Sequence, residues 1–375
     1  MSAPLTAVVL TGGGARGAYQ AGVLAGIADR SRCDVCFPIV TGVSAGGINA
    51  AALAASRASF AGATEELRQA WLKLTTDSVF RSNFRTLTWS AFRWIAKVGS
   101  GGAIPADLRG LLDTRPLRTY LETAIDFDGI GDNIAGGRLH ALALSMTEYA
   151  TGRTVTAVQA TERMRDWQRA RRLSERSRIT VDHVMASAAL PVVFPAIQIG
   201  GDYYGDGSIR QSAPLSPAVH LGADRILAIS VRYSLAPKET VEPQFVGYPP
   251  PAQILGMILH GVFIDDLEDD AERLLRINRT LQAVPQGAEL RDDLRPIDML
   301  MLRPSRDLGK LSAGLVDELP RPLRLLARGL GASRTTTPDF LSYLLFEQPY
   351  IERLMDLGFE DVRAQWDTIE PFLSG

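Results

Sequence analysis

Along the first half of the chain, short apolar runs alternate with amphipathic stretches. Ala7-Val8-Val9-Leu10 is an apolar run stopped by Thr11 and three glycines. Such a run predicts a strand buried on both faces. Gly17 to Arg30 follows, with Tyr19, Val23, Leu24, Ile27 and Ala28 at helical spacing. Cys36 to Val40 predicts a second strand, and Ala45 to Ser56 a helix of small residues carrying Ile48 and Leu53. Strand, glycine-rich turn, helix, strand, turn, helix is the rhythm of a parallel sheet covered by helices. Leu139 to Ser145 and Arg225 to Val231 predict further central strands.

Two stretches break this rhythm. Ser78 to Ala106 has no acidic residue and interleaves Phe80, Phe84, Trp89, Phe92 and Trp94 with Arg81, Arg85, Arg93 and Lys97. It is either a basic surface helix held down by its aromatics or a segment lying on an anionic lipid interface. The second stretch begins near Leu235. Tyr248-Pro249-Pro250-Pro251 makes a stiff connector, and an apolar stripe runs from Ile254 through Leu255, Ile258, Leu259, Val262, Phe263, Leu267, Ala271 and Leu274 to Leu275. A stripe of that spacing predicts packing against the core, with a lid or membrane-facing helix as the alternative. Leu311 to Leu330 and Pro338 to Phe372 also predict helices. The expected organisation is an α/β domain over 1–234 and a helical C-terminal extension over 235–375.

Charge narrows the partners. Lys+Arg 40 against Asp+Glu 42 leaves a net charge of −2, so overall charge does not hold the protein to nucleic acid. No apolar run reaches the roughly 18 residues of a spanning helix, and Met1 to Thr11 lacks the features of a signal peptide. The expectation is a cytoplasmic protein, with contact at a membrane surface as the addition. Cys33 and Cys36 cannot build a disulfide framework. Their C-x-x-C spacing precedes a strand, so both read as ordinary, partly buried cysteines. The arginines between Arg163 and Arg178 are diluted by Glu162, Asp166 and Glu175, which predicts a solvated face.

Candidate chemistry sits at the strand ends. Gly42-Val43-Ser44-Ala45-Gly46 fits the G-x-S-x-G nucleophile elbow. A serine at a sharp strand-to-helix turn projects its hydroxyl clear of the sheet, and the following helix aims its positive end at a developing oxyanion. The pattern arises by chance about 0.2 times in such a chain, and the flanking strand and helix strengthen it. Gly12-Gly13-Gly14-Ala15-Arg16-Gly17 offers close-set N–H groups for an anion. In a serine hydrolase such a loop is an oxyanion hole. The same string satisfies G-x-G-x-x-G, the dinucleotide fingerprint, which requires an acidic residue at the end of the second strand. Asp34 has about the right spacing but precedes that strand, which argues against a nicotinamide cofactor. The chain has four histidines, His140, His183, His220 and His260, none in a triad motif. Asp206, in Asp206-Gly207-Ser208, is the better general base, with Asp202 as its local competitor.

These residues resemble the patatin-like phospholipases. The glycine loop, the elbow and the Asp-Gly pair occur in that family's order, with Ser208 where the family usually has Gly or Ala. Ala186-Ser187-Ala188-Ala189-Leu190-Pro191, Phe194-Pro195, Pro214-Leu215 and Leu221-Gly222-Ala223-Asp224 also look like bacterial members. The resemblance covers roughly Ala7 to Val231. It implies a three-layer α/β/α fold with a mostly parallel central sheet. It also implies a serine acyl hydrolase acting on fatty-acyl esters of lipids, with Ser44 as nucleophile and Asp206 as base. Gly12, Gly13, Gly14, Ala15, Arg16 and Gly17 would form the oxyanion loop, and Gly42, Val43, Ala45 and Gly46 the elbow. Gly207 and Ser208 would complete the dyad motif. Arg16 would fix the loop or steer headgroups. No metal or cofactor is implied. An acyl trench is expected from Phe80–Trp94 or from the helix Ile254–Leu267. A nucleotide-binding oxidoreductase and a catalytically silent lipid-binding scaffold are the competing readings.

Overall fold

The computed structural model describes residues 4–31, 33–81, 110–162, 164, 166–234, 248–263, 265–285, 294–329 and 339–374. Among the described residues ten strands form one sheet. They are β1 (Thr6–Leu10), β2 (Ile39–Gly42), β3 (Ala141–Glu148), β4 (Thr154–Ala160), β5 (Gln168–Arg169), β6 (Arg172–Arg176), β7 (Ile197–Ile199), β8 (Asp202–Asp206), β9 (Arg225–Ile229) and β10 (Asp298–Leu302). The order is β10-β9-β1-β2-β3-β4-β6-β5, with β8 on β3 and β7 on β8. The five strands from β10 to β3 are parallel.

β1 lies near the middle and is buried throughout. Its alternation sorts the core into two faces. Val8 and Leu10 join a cluster with α1 (Gly17–Arg30), α2 (Ala45–Ala55) and α3 (Phe60–Lys73). Ala7 and Val9 join a second cluster with Leu215, Ala218, Leu267, Ala271 and Leu274. Helices on both faces of a mostly parallel sheet make the three-layer α/β/α architecture expected from the motifs.

β2 starts three residues later than the apolar run suggests. Pro38 has no N–H for the ladder; its carbonyl instead accepts the backbone N–H groups of His140 (2.7 Å) and Ala141 (3.2 Å).

The region after 234 is not purely helical, since β10 extends the central sheet beside β9. The helix Gln348–Ala364 packs on α1 at glycines. A Cβ at Gly22 would lie 2.1 Å from the Met355 carbonyl oxygen, and one at Gly358 would lie 2.4 Å from that of Tyr19. Asp361 Oδ2 accepts the Tyr19 hydroxyl (2.9 Å) and the Ser305 N–H (3.0 Å), which locks the crossing.

The long apolar stripe divides between two helices, Pro251–Phe263 and Asp265–Gln282. Leu267, Ala271 and Leu274 are buried, whereas Ile254 and Ile258 are 40% and 56% exposed. Core packing therefore holds for the second half of the stripe and not for its start. One continuous periodicity spans two helices that bury different faces. Of the basic aromatic stretch, only Ser78–Arg81 falls within the described residues. There Phe80 is fully buried, with its ring 6.0 Å from that of Phe194. Among the described residues no helix is long and apolar enough to cross a membrane.

Candidate active site

The elbow forms where β2 runs into α2. Ser44 has φ 56° and ψ −130°, a left-handed backbone that a β-carbon resists. Its neighbours must be small. A Cβ on Gly46 would stand 2.2 Å from the Leu10 carbonyl oxygen, and one on Gly42 would stand 2.4 Å from that of Gly46. The turn is held from outside by Ser187. The Ser44 backbone N–H donates to the Ser187 carbonyl and to the Ser187 hydroxyl oxygen, both at 3.1 Å.

The glycine loop closes over the elbow from β1. Gly14 has φ 54°, and a Cβ there would sit 2.2 Å from the Tyr343 carbonyl oxygen. A Cβ on Gly17 would sit 2.9 Å from Ala45 Cβ, so loop and elbow are in contact. A buried polar chain fixes the two together. Trp71 Nε1–H donates to Asn49 Oδ1 (2.8 Å), and Asn49 Nδ2–H donates to the Gly17 carbonyl (2.9 Å) and to Gln20 Oε1 (3.0 Å). Gln20 in turn donates to the Thr11 carbonyl (2.9 Å). Arg16 is only 2% exposed. Its Nε–H donates to Ser342 Oγ at 2.8 Å, and its guanidinium lies 4.2 Å from the centre of the Tyr343 ring. The backbone N–H groups of Gly13 and Gly14 meet no acceptor among the described residues.

Asp206 reaches this place through β3. The first half of one β3 edge pairs with β2, ending at Gly42 opposite Leu144. The second half pairs with β8, ending at Asp206 opposite Met146. Two strands thus meet end to end along one edge, with termini about two residues, or ~7 Å, apart. Asp206 is fully buried. Its N–H donates to the Ala189 carbonyl (2.9 Å), and its carbonyl accepts the Thr147 hydroxyl (2.9 Å). Oδ1 accepts the Ser208 backbone N–H at 2.9 Å. Oδ2 has no hydrogen-bond partner of ordinary length among the described residues. Burial pushes the carboxyl up to about 6, while the approach of the Ser44 hydroxyl and the Ser208 bond pull it back. Gly207 is required because a Cβ would lie 2.3 Å from the Ser145 carbonyl oxygen. Asp202, the local competitor, is exposed at the other end of β8.

An apolar cavity enclosing about 880 Å³ of space, counted out to its open mouth, starts at Ser44 and Gly14. Its walls are α2, α3 and the helix Arg115–Ala124, closed by Phe194 and Phe346. Neither trench candidate is seen in these walls among the described residues. Residues 82–94 lie outside the described residues, and the cavity lining includes nothing from Ile254–Leu267.

No histidine lines the cavity. His183 Nδ1 accepts the Thr180 N–H at 3.2 Å in a helix cap, and His220 stacks on Trp167 with ring centres 5.0 Å apart. Asp34 precedes β2 at the end of the sheet opposite the glycine loop, where no ribose held by that loop can reach it. Cys33 is exposed and Cys36 buried, and both are free thiols. Of the arginines, Arg176 and Arg178 face Asp166 and Asp128, Arg169 and Arg171 are exposed, and Arg163 and Arg165 lie outside the described residues.

The structure therefore brings Ser44, Asp206 and the loop Gly12–Gly17 to one place. The sequence motifs do not reveal Ser187 as the brace of the elbow, nor Asn49, Gln20 and Trp71 as the link between loop and helix. Ser187 lies within the Ala-Ser-Ala-Ala-Leu-Pro stretch, whose small residues are its only local signal.

A family profile described as patatin-like phospholipase matches residues 8–219. A search of curated proteins finds no match. Among solved structures, the chain is similar to VipD from Legionella pneumophila. The identity is 12% and the TM-score 0.32, over 94% of this chain and 67% of that one. It is also similar to human GIVD cytosolic phospholipase A2, at 14% identity and a TM-score of 0.45, over 99% of this chain and 60% of the human one. The human enzyme in complex with methyl gamma-linolenyl fluorophosphonate gives 15% identity and a TM-score of 0.45, over 99% and 58%. The chain spans about three fifths of the human enzyme's length. The family match extends over more than half of the chain, and the protein belongs to the patatin-like phospholipase family of lipid acyl hydrolases.

Proposed function

We propose that the protein cleaves fatty-acyl esters of lipids through a Ser44–Asp206 dyad. One observation carries this reading: a fully buried carboxylate, whose Oδ2 has no hydrogen-bond partner of ordinary length among the described residues, stands beside a strained serine at the head of an apolar cavity. A buried, half-satisfied carboxylate is costly to keep, and a proton acceptor needs that open oxygen.

Ionised Asp206 takes the Ser44 hydroxyl proton as Oγ attacks the ester carbonyl carbon. The carbonyl electron pair moves onto oxygen, and the oxyanion is held by the N–H groups of Gly13, Gly14 and Ala45, the last at the positive end of α2. Collapse breaks the bond to the alcohol oxygen, which takes the proton from Asp206 and departs. Water then gives a proton to Asp206 and adds to the acyl-Ser44 carbonyl. Collapse of the second tetrahedral species frees the fatty acid, and Ser44 Oγ recovers its proton. In this reading Arg16 positions the loop through Ser342 and Tyr343 and does not touch substrate.

The test is a panel of phospholipid, lysophospholipid and neutral-lipid esters assayed with wild type, Ser44→Ala and Asp206→Asn. Both variants should lose at least 10³-fold in kcat with unchanged circular dichroism. Substantial turnover by either refutes the assignment.

A further inference from the structure

The cavity has a direction. Its α2 wall is Ala45, Ile48 and Ala52, at spacings of three and four, so one stripe of the helix leads away from Ser44. From Ser44 to Ala52 is eight residues, or about 12 Å at 1.5 Å per residue. The opposite wall, α3, runs alongside. Trp71 meets Asn49 at the end near the glycine loop, and Glu66 accepts the Ser56 hydroxyl at the far end (2.7 Å). Tyr120 crosses from the helix Arg115–Ala124 to donate its hydroxyl to the Ala70 carbonyl, which joins the third wall to α3. The lining changes character at the far end. Leu67, Leu117 and Leu121 are buried, whereas Glu66 and Ala124 face solvent. Among the described residues the slot is therefore apolar for about 12 Å and then meets a charged rim at Glu66.

We propose that, with the acyl chain in this slot, its length along α2 sets where chain length stops mattering: the gain per methylene ends near about ten carbons, and longer acyl chains gain nothing more. The proposal rests on Ser44 being the nucleophile. An apolar chain gains by leaving water only while it has an apolar wall to meet. Each methylene within the slot should raise kcat/KM about three- to fourfold. A methylene beyond Ala52 and Ala63 emerges beside Glu66 and gains nothing. The residue that sets the limit is Ala52, because a larger side chain one helical turn past Ile48 would fill the far part of the slot.

The experiment uses p-nitrophenyl esters from acetate to palmitate with wild type, Ala52→Phe, Ala124→Phe and Ser44→Ala. For wild type, kcat/KM should climb and then level near the decanoate. In Ala52→Phe the break should move to about six carbons, one turn of helix shorter. Ala124 is exposed, so Ala124→Phe serves where Ala52→Phe does not fold, and it should also move the break to shorter chains. Each variant is read by its own ratio of decanoate to acetate. A parallel series of alkyl acetates, in which only the alcohol lengthens, should show no such climb. A climb there instead would place the leaving group in the slot and overturn the proposal. A break unmoved in both phenylalanine variants, or a wild-type climb continuing to palmitate, would also overturn it. Acetate hydrolysis retained by Ser44→Ala would overturn the site itself, an outcome distinct from any change in chain-length profile.

Discussion

Ser187 holds Ser44 by two bonds to one N–H: its carbonyl and its hydroxyl oxygen both accept the Ser44 backbone donor at 3.1 Å. The same hydroxyl donates to the Ser145 carbonyl at 2.8 Å, on the strand that carries Asp206 through β8. Ser187 thus connects the nucleophile's backbone to the scaffold of the base. The Ser187→Ala variant keeps the carbonyl contact and loses the hydroxyl. Loss of a buried bond that leaves a carbonyl unsatisfied costs roughly 1–2 kcal/mol. We expect a lower Tm and a kcat down about tenfold from a misplaced hydroxyl. KM for a short ester should stay within about twofold, because the cavity walls are untouched. An unchanged kcat would show that the elbow does not need this brace.

The Asp206 carboxyl titrates near 6 because burial disfavours its charge. The base must be ionised, so kcat/KM should rise with pH through about 6 and then flatten. The stability effect has the opposite sign. Between the ordinary value of 3.8 and about 6, the unfolded chain gives up this proton before the folded one does. Stability therefore falls as pH rises through that window, by on the order of 3 kcal/mol from this group, and levels off above it. Asp206→Asn removes that cost and should melt a few degrees higher than wild type at pH 8, with little difference at pH 4. Thermal melts of both proteins at the two pH values check it. A variant that melts lower at pH 8 would mean the charge is better compensated than its open Oδ2 indicates.

Residues outside the family match should matter to the loop inside it. Gly14 needs both its positive φ and its missing side chain, because the Tyr343 carbonyl oxygen occupies the space a Cβ would take. Gly14→Ala should cut kcat by about 10² or more through a displaced oxyanion donor. A chain ending at 338 loses Ser342 and Tyr343, two partners of buried Arg16. It also uncovers the face of α1 that meets Gln348–Ala364. That chain should be insoluble or lack a cooperative melt. Solubility with full activity would show that the C-terminal helices are dispensable.

Much of the fold was readable because its signals are local. β1, α1 and α2 lie within a residue or two of their predicted limits, since glycines and one proline punctuate them. The elbow and loop motifs were readable for the same reason, because strained backbone demands particular small residues. What was not readable depends on partners distant in the chain. β2 shares an edge of β3 with β8, so Gly42 and Asp206 converge by sheet pairing, which no local pattern encodes. β10 is a half-exposed edge strand with weak alternation. The cavity arises where three helices fail to close on one another. Ile48, Leu67 and Leu121 look like ordinary core residues in sequence, so nothing local marks them as the lining of a cavity.

A histidine general base would need an imidazole at the site, and the positions of His140, His183 and His220 argue against those three. His183 accepts from the cap of the helix Val181–Ser187, His220 lies flat on Trp167, and His140 stands at the start of β3, at the end of the sheet opposite Ser44. Burial holds all three below the usual imidazole range, so they resist protonation where they stand. We expect His140→Ala, His220→Ala and His260→Ala each to keep kcat/KM within about threefold of wild type. His183→Ala should lower the Tm by loss of a cap worth about 1 kcal/mol. The pH profile is the sharper readout. Its rise near 6 should persist in all four variants, because the proton belongs to Asp206. Loss of that rise in any single histidine variant would transfer the base to that residue and remove Asp206 from the chemistry.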